Sequence, residues 1–138
     1  IDFITKEGRL KINKDNVRNR EDLYNGYDAM VLPRRYAGLC LPMNEALISG
    51  LPVFMTDISP NNKILPNDWL IHSNKIGEFK TKSMVDIYEA DAIKLGNTID
   101  NYINNDKINK YKNIAIEIGF NNFSVENLKD KWLKVINE

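Results

Sequence analysis

Two short apolar runs, separated by a mixed segment, dominate the hydrophobic pattern of this chain. The first run spans residues 29–32 and is stopped by Pro33, and the second spans residues 51–55. Continuous apolar runs of this length suit strands that are buried on both faces. Between the runs, Pro42 favours the start of a helix and Gly50 favours its end. The pattern predicts a right-handed βαβ unit with two parallel strands.

The segments that flank this unit carry weaker signals. Upstream, residues 20–25 predict a short helix in which Leu23 and Tyr24 pack inward and which Gly26 ends. Downstream, the pattern predicts a strand at residues 69–71 and an exposed polar loop at residues 73–82. Residues 84–88 fit either a strand or a helix.

From Ala90 onward the apolar spacing becomes helical. Three amphipathic helices are expected, and their apolar stripes are predicted to be packing surfaces. Gly119 is predicted to end the second helix and Ser124 to cap the third. Trp69 and Trp132 are expected to anchor the core. The three stripes contain Ala92, Leu95, Ile99, Tyr102 and Ile103, then Ile108, Tyr111, Ile114, Ala115 and Ile118, then Val125, Leu128, Trp132, Val135 and Ile136.

Composition bounds the class of protein. A chain of 138 residues predicts one domain, and its 43% apolar content is enough for a core. With the βαβ unit and the helices, the expected fold class is α/β, a Rossmann-like parallel sheet with flanking helices. Its 19 basic and 19 acidic residues cancel, which argues against a nucleic-acid partner. No apolar run approaches the roughly 20 residues that span a bilayer. The single Cys40 suits a reducing compartment, so a cytoplasmic location is expected. Because the chain begins at Ile1 rather than Met, a fragment of a longer protein is expected.

The loop between the first strand and the helix is the candidate site. A helix that starts at Pro42 would place its positive end at the carboxyl edge of the sheet, where it could bind phosphate. Gly38 would let the loop backbone approach such a ligand, and the carboxylate of Glu45 could accept both hydroxyls of a ribose. Together these groups describe a nucleotide site; the alternative is that Glu45 is an acidic residue near a helix start, which the helix dipole alone favours. His72 is the only histidine and has no cysteine near it in the sequence, so a metal site is not predicted.

The segment DLYNGYDAMVLPRRYAGLCLPMNEALISGLPVFMTD resembles the hallmark of retaining glycosyltransferases of the GT-B fold, group 1 type. That family has a DLY helix, an Asp before VFVLPS, then E-G-F-G-L-P, a helix with E-A, and S-G-x-P-V. The positions that match in register are Asp22, Leu23, Tyr24, Asp28, Leu32, Pro33, Gly38, Leu41, Pro42, Glu45, Ala46, Ser49, Gly50, Pro52 and Val53.

The resemblance implies part of a C-terminal lobe that binds a nucleoside-diphosphate sugar donor without a metal or other cofactor. In the family, the glutamate at the position of Glu45 contacts the ribose, and loop amides at Leu39, Cys40 and Leu41 bind the diphosphate and sugar. Arg35 is a candidate phosphate contact, against the alternative of a surface arginine. No catalytic residue is assigned. The implied partners are the donor and an N-terminal acceptor lobe, and peripheral membrane association of the full-length protein is left open.

Departures from the family pattern favour a second hypothesis, a non-catalytic module that serves in assembly. Ala37 stands where the family has the glutamate that contacts sugar hydroxyls, and Ser59 and Pro60 replace paired glycines. The family's G-R-x-x-x-K phosphate motif has only a weak counterpart, for which a solvated charged turn is the alternative: Gly8, Arg9, Leu10 and Lys14. The chain alone is therefore expected to be inactive, and an exposed sheet edge is expected to favour homo-oligomers.

Overall fold

The computed structural model describes residues 11–12, 16–104 and 107–137, so the weak phosphate motif of the sequence lies outside the described residues. The described part is an α/β protein with a three-stranded parallel sheet in the order β1-β2-β3, followed by an antiparallel hairpin. The strands are β1 (Met30–Leu32), β2 (Val53–Thr56), β3 (Leu70–Ile71), β4 (Ser73–Lys80) and β5 (Met84–Ala90). The helices are α1 (Leu41–Ile48), α2 (Ala92–Asn104), α3 (Ile108–Phe123) and α4 (Val125–Ile136). Short 3-10 turns occupy Arg20–Leu23, Asn61–Lys63 and Asn67–Trp69.

The element order and the parallel strands of the predicted βαβ unit are confirmed. Strands β1 and β2 are parallel, with Met30 opposite Val53, and α1 lies between them in the chain. Helix α1 ends as expected at Gly50, whose φ of 78° suits glycine. The N–H of Gly50 donates to the carbonyl of Leu47 at 3.0 Å, and the N–H of Leu51 donates to that of Ala46 at 2.8 Å. These two bonds are a Schellman motif, which satisfies the last carbonyls of the helix.

Strand β1 departs from its predicted burial on both faces. All four residues of β2 are buried, whereas Val31 in the middle of β1 is 44% exposed. The reason is position: among the described residues β2 is central and β1 pairs only with β2. Neighbouring elements cover only part of the surface of an edge strand. The sheet edge on which the oligomer prediction depends is therefore present in the described structure, while oligomerisation itself stays a prediction.

The loop predicted over residues 73–82 is wrong, because residues 73–80 form strand β4 of the hairpin with β5, although the predicted exposure is correct. Most of its side chains are exposed, so the apolar alternation that identifies a half-buried strand is missing from the sequence. The hairpin is attached to the loop after β1 at two points. The N–H of Tyr88 donates to the carbonyl of Arg35 at 2.6 Å, and the rings of Tyr36 and Phe79 meet edge to face at 5.8 Å.

Helix α3 continues through Gly119, where the sequence predicted its end. A Cβ atom at Gly119 would lie 2.6 Å from the backbone nitrogen of Ile48 and 2.6 Å from the carbonyl carbon of Leu47. Glycine is therefore present because the backbones of α1 and α3 approach closely, and a Cβ atom would force them apart. Ser124 is confirmed as the cap of α4, since its Oγ accepts a hydrogen bond from the N–H of Asn127 at 3.2 Å.

An aromatic cluster joins the sheet to α2 and α3. Phe54 of β2 lies 5.2 Å from Tyr102 and 6.4 Å from Tyr111, and Trp69 lies 5.3 Å from Tyr111, measured between ring centroids. The Tyr102 hydroxyl donates to the carbonyl of Asp28 at 2.8 Å, which ties α2 to the start of β1. Trp69 is fully buried, as predicted for a core anchor.

Other burial predictions are wrong. The stripe of α4 is not a packing surface among the described residues, since Trp132 is 63% exposed and Val125, Val135 and Ile136 are exposed as well. Ile103 of the α2 stripe is also exposed. Leu23 is 46% exposed, whereas Tyr24 packs against the core as expected. None of the helices in the described part of the chain has the length and apolar character needed to cross a membrane.

Candidate functional site

A cleft of about 550 Å³ opens beside the carboxyl ends of β1 and β2 and is walled on one side by β5. We call it the loop–hairpin cleft. Its lining comes from the loop after β1 (Ala37 and Gly38), from residues 58–60 after β2, and from residues 84–86 and Tyr88 of β5. This is the edge of a parallel sheet at which ligands of α/β proteins bind.

The loop after β1 is fixed by side chains that bind the carbonyl of Gly38. Arg34 Nη1 donates to this oxygen at 3.2 Å, and Nδ2 of the buried Asn61 donates to it at 3.3 Å. Gly38 has φ 138°, a value that residues with a Cβ rarely adopt. The loop therefore needs glycine at this position for its own conformation, whereas the approach of a ligand to Gly38 stays a prediction.

Helix α1 begins at Leu41, one residue before Pro42, and its start is the second part of the candidate site. Cys40, the residue before the helix, makes no side-chain capping bond, and the first turn contains no acidic residue. Backbone N–H groups in this turn have no partners within the helix, and the helix dipole makes this end positive. Cys40 has φ −123°, so its backbone does not require the glycine found in the family at this position.

Glu45 lines a second cleft, of about 430 Å³, between α1 and the Arg20–Leu23 turn. We call it the Glu45 cleft. The guanidinium of Arg20 donates to Oε1 of Glu45, and the hydroxyl of Tyr24 donates to Oε2 at 2.5 Å. Both carboxylate oxygens therefore have charged or polar partners. The remainder of the lining comes from Glu21, Ile48 and Ser49.

These contacts keep Glu45 ionised. The hydrogen bond from Tyr24 is the main cause that lowers the pKa of Glu45 below its ordinary value, and Arg20 acts in the same direction. Burial, followed by the same hydrogen bond, raises the pKa of Tyr24 to about 12. At neutral pH Glu45 is therefore a carboxylate that accepts hydrogen bonds from a guanidinium and from a neutral phenol.

The residues predicted from the sequence fall into three groups. Gly38 lines the loop–hairpin cleft, Glu45 lines the Glu45 cleft, and the chain that connects them contains Leu39, Cys40, Leu41 and Pro42. Of these four, only Cys40 has a buried side chain. Arg35 is exposed, and its described hydrogen bond is made by its backbone carbonyl to β5. The structure thus places the two main predicted contacts in two clefts rather than one.

Among the residues that line the two clefts, the sequence interpretation did not assign Arg20, Tyr24, Asp86 and Tyr88 to a site. The i, i+4 spacing of Arg20 and Tyr24 was a usable signal that both side chains could reach one ligand. Asp86 and Tyr88 occupy alternate positions of a strand and so share one face, which could be read only after the segment was known to be a strand. Within the described ranges, no three metal-binding side chains cluster.

Comparisons with protein-family models, with curated proteins and with solved structures found no match to this chain. The class that the structure itself defines is an α/β protein in which a βαβ unit carries a glycine-containing loop and a helix N-terminus at one sheet edge. A function for this chain is therefore inferred from the residues of the two clefts.

Proposed function

We propose that this chain binds a nucleoside-diphosphate sugar, as part of the donor-binding lobe of a GT-B-fold glycosyltransferase. The observation that carries the proposal is the position of the uncapped start of α1, between a cleft lined by Gly38 and a cleft lined by Glu45. A diphosphate is a suitable ligand for a helix N-terminus, and the two clefts offer separate places for the sugar and the nucleoside.

In the proposed complex, the diphosphate lies against the backbone amides of Leu39, Cys40 and Leu41. Hydrogen bonds and the helix dipole at this position would stabilise the negative charge that develops on the leaving diphosphate when its bond to the anomeric carbon breaks. The sugar passes to an acceptor that is yet to be identified. This arrangement supplies charge stabilisation from the protein itself, without a metal ion.

Glu45 is proposed to bind the ribose. An ionised carboxylate has about four lone-pair positions on its two oxygens. Arg20 and Tyr24 use one position on each oxygen, so each oxygen can accept a further hydrogen bond from a ribose hydroxyl. Because Arg20 and Tyr24 also fix the carboxylate in place, little side-chain entropy would be lost on binding.

Calorimetric titration of the chain with UDP and with GDP tests this proposal. We expect one of the two nucleotides to bind, and Glu45→Gln to weaken its binding by about tenfold, since a charged hydrogen-bond acceptor is replaced by a neutral amide. Glu117→Gln is the matched control, because Glu117 is exposed on α3 and lines neither cleft. Absence of binding by both nucleotides, or equal effects of the two substitutions, would refute the proposal.

A second candidate function is a non-catalytic module with the same fold. Ala37 favours this second function, because it lines the loop–hairpin cleft and its side chain has no group that could accept a hydrogen bond from a sugar hydroxyl. Ala37→Glu separates the two candidates in a titration with nucleotide sugars. A gain in affinity for a nucleotide sugar supports a donor site, whereas binding that stays absent in both the parent chain and the variant supports the module.

A further inference from the structure

The β4–β5 hairpin contains a pair of like charges that its own stability does not explain. Glu78 and Asp86 are directly opposite each other in the antiparallel register. Like charges at opposed positions destabilise a strand pair. Lys75 offsets the repulsion, since its Nζ lies 2.7 Å from Asp86 Oδ1 and 3.5 Å from Glu78 Oε2. A neutral residue at either position would avoid the repulsion altogether.

Of the two carboxylates, only Asp86 lines the loop–hairpin cleft. It is the one charged residue among the described residues of that lining. Tyr88, two positions further on the same face of β5, also lines the cleft and donates its hydroxyl to Asp86 Oδ2 at 3.3 Å. The carboxylate is 43% exposed, so a ligand in the cleft can reach it.

Strand β5 is held in place against the other wall of the cleft. The backbone N–H of Tyr88 donates to the carbonyl of Arg35 in the loop after β1 at 2.6 Å. The same loop presents Gly38, whose carbonyl is bound by Arg34 and Asn61. Asp86 therefore belongs to a strand that is attached to the loop after β1. A sugar bound in the cleft beside that loop would contact Asp86.

The rest of the lining is largely apolar and includes Ile58, Pro60 and Val85. A sugar ring presents apolar C–H groups together with hydroxyl donors. Apolar walls with a few placed polar groups are what such a ligand requires, and an ionised carboxylate accepts two hydroxyl hydrogen bonds at once.

We propose that Asp86 binds hydroxyls of the glycosyl ring in the loop–hairpin cleft and determines sugar specificity, with Tyr88 as the residue that positions its carboxylate. This inference rests on the proposed function, because it assigns a place to the sugar of the same donor. Tyr88 acts through Asp86, so Tyr88→Phe should reduce sugar discrimination less than loss of the Asp86 charge does.

The test compares affinities for nucleotides with and without a sugar. The chain is titrated calorimetrically with UDP, GDP, UDP-glucose, UDP-galactose, UDP-N-acetylglucosamine and GDP-mannose, and the preferred nucleotide sugar is compared with its own nucleotide. Asp86→Asn is expected to lower the affinity for the nucleotide sugar by about tenfold while the affinity for the nucleotide is unchanged.

Glu78→Gln is the matched control. It removes the same charge from the same hairpin and takes a carboxylate partner from the same Lys75, but Glu78 does not line the cleft. The inference requires this variant to retain the sugar dependence. Equal losses in Asp86→Asn and Glu78→Gln would assign the effect to hairpin structure, and an unchanged sugar dependence in Asp86→Asn would also overturn the inference.

Failure of the inference and failure of the proposed function give different results. Binding of UDP or GDP without preference for any nucleotide sugar would overturn the sugar site and leave the nucleotide site intact. If neither nucleotide binds, the proposed function fails. Saturation-transfer NMR with methyl glucoside and methyl mannoside then tests whether the cleft binds a sugar by itself. Transfer that is lost in Asp86→Asn but kept in Glu78→Gln would support the sugar site alone, and absence of transfer would overturn it.

Discussion

Gly119→Ala tests the packing of α3 on α1, the contact that buries the helix of the βαβ unit. A Cβ at this position would lie 2.6 Å from two backbone atoms of α1 and 2.8 Å from the carbonyl oxygen of Leu47. Backbone cannot rotate away as a side chain can, so the two helices must separate. Overpacking of this kind costs about 1–3 kcal/mol, whereas alanine in place of glycine in a helix gains about 1 kcal/mol. We expect a net loss near the upper end, about 2 kcal/mol.

Gly96→Ala is the matched control for this change. Gly96 lies within α2, is exposed, and has no atom within 4 Å of a Cβ built on it. Only the helix-propensity gain of about 0.5–1 kcal/mol applies there. Urea unfolding followed by circular dichroism should therefore give opposite signs: a lower midpoint for Gly119→Ala and a higher one for Gly96→Ala. Equal signs would refute the close approach of α1 and α3.

Three further predictions concern local contacts. Ser124→Ala should cost about 1 kcal/mol in the free energy of unfolding, because α4 loses its cap, and urea titration measures this. Trp69→Ala should cost about 3–5 kcal/mol, whereas Trp132→Ala should change stability by less than about 0.5 kcal/mol because this side chain is 63% exposed; a large effect of Trp132 would contradict the exposed position of α4. Tyr24→Phe should raise the pKa of Glu45 toward its ordinary value, since the hydrogen bond that lowers it most is removed, as carboxyl NMR would detect. In the parent chain the stability that Glu45 contributes is complete above its unfolded-state pKa of about 4.3 and is lost as pH falls through the lowered folded-state pKa. If the stability of the Tyr24→Phe chain fell with decreasing pH as it does in the parent chain, Tyr24 would not be the main cause of the lowered pKa of Glu45.

The βαβ unit could be predicted from the sequence because its signals are local. Pro42 and Gly50 bound α1 within one residue of its observed position, and both strands are short apolar runs. Ser124 was predictable for the same reason, since a cap acts within three residues of itself. In each of these cases, the residue whose type gives the sequence signal is also the residue that the local backbone structure requires.

The hairpin and the role of Gly119 could not be predicted because their causes are not local. Strand β4 is held by backbone hydrogen bonds to β5 and shows little apolar alternation. Gly119 resembles a helix stop when only its neighbours in sequence are considered. Its actual constraint comes from the backbone of α1, which a sequence pattern does not reveal.

The candidate site divides in the same way. Gly38 and the start of α1 follow from turn and helix signals within the loop. The partners of Glu45, in contrast, are 25 and 21 residues away in sequence, at Arg20 and Tyr24. Asp86 enters the loop–hairpin cleft only because β5 packs beside the loop after β1. Contacts of this range depend on the folded arrangement.

The most direct test of the central claim is an amide NMR titration of the isotope-labelled chain with UDP and GDP. We predict that one nucleotide shifts the amide signals of Leu39, Cys40 and Leu41 in a saturable manner, with smaller shifts at Glu45. The amides of α4 serve as the internal control and should stay unchanged, since α4 lines neither cleft. Saturable shifts confined to other parts of the chain, or none with either nucleotide, would contradict a diphosphate site at the start of α1.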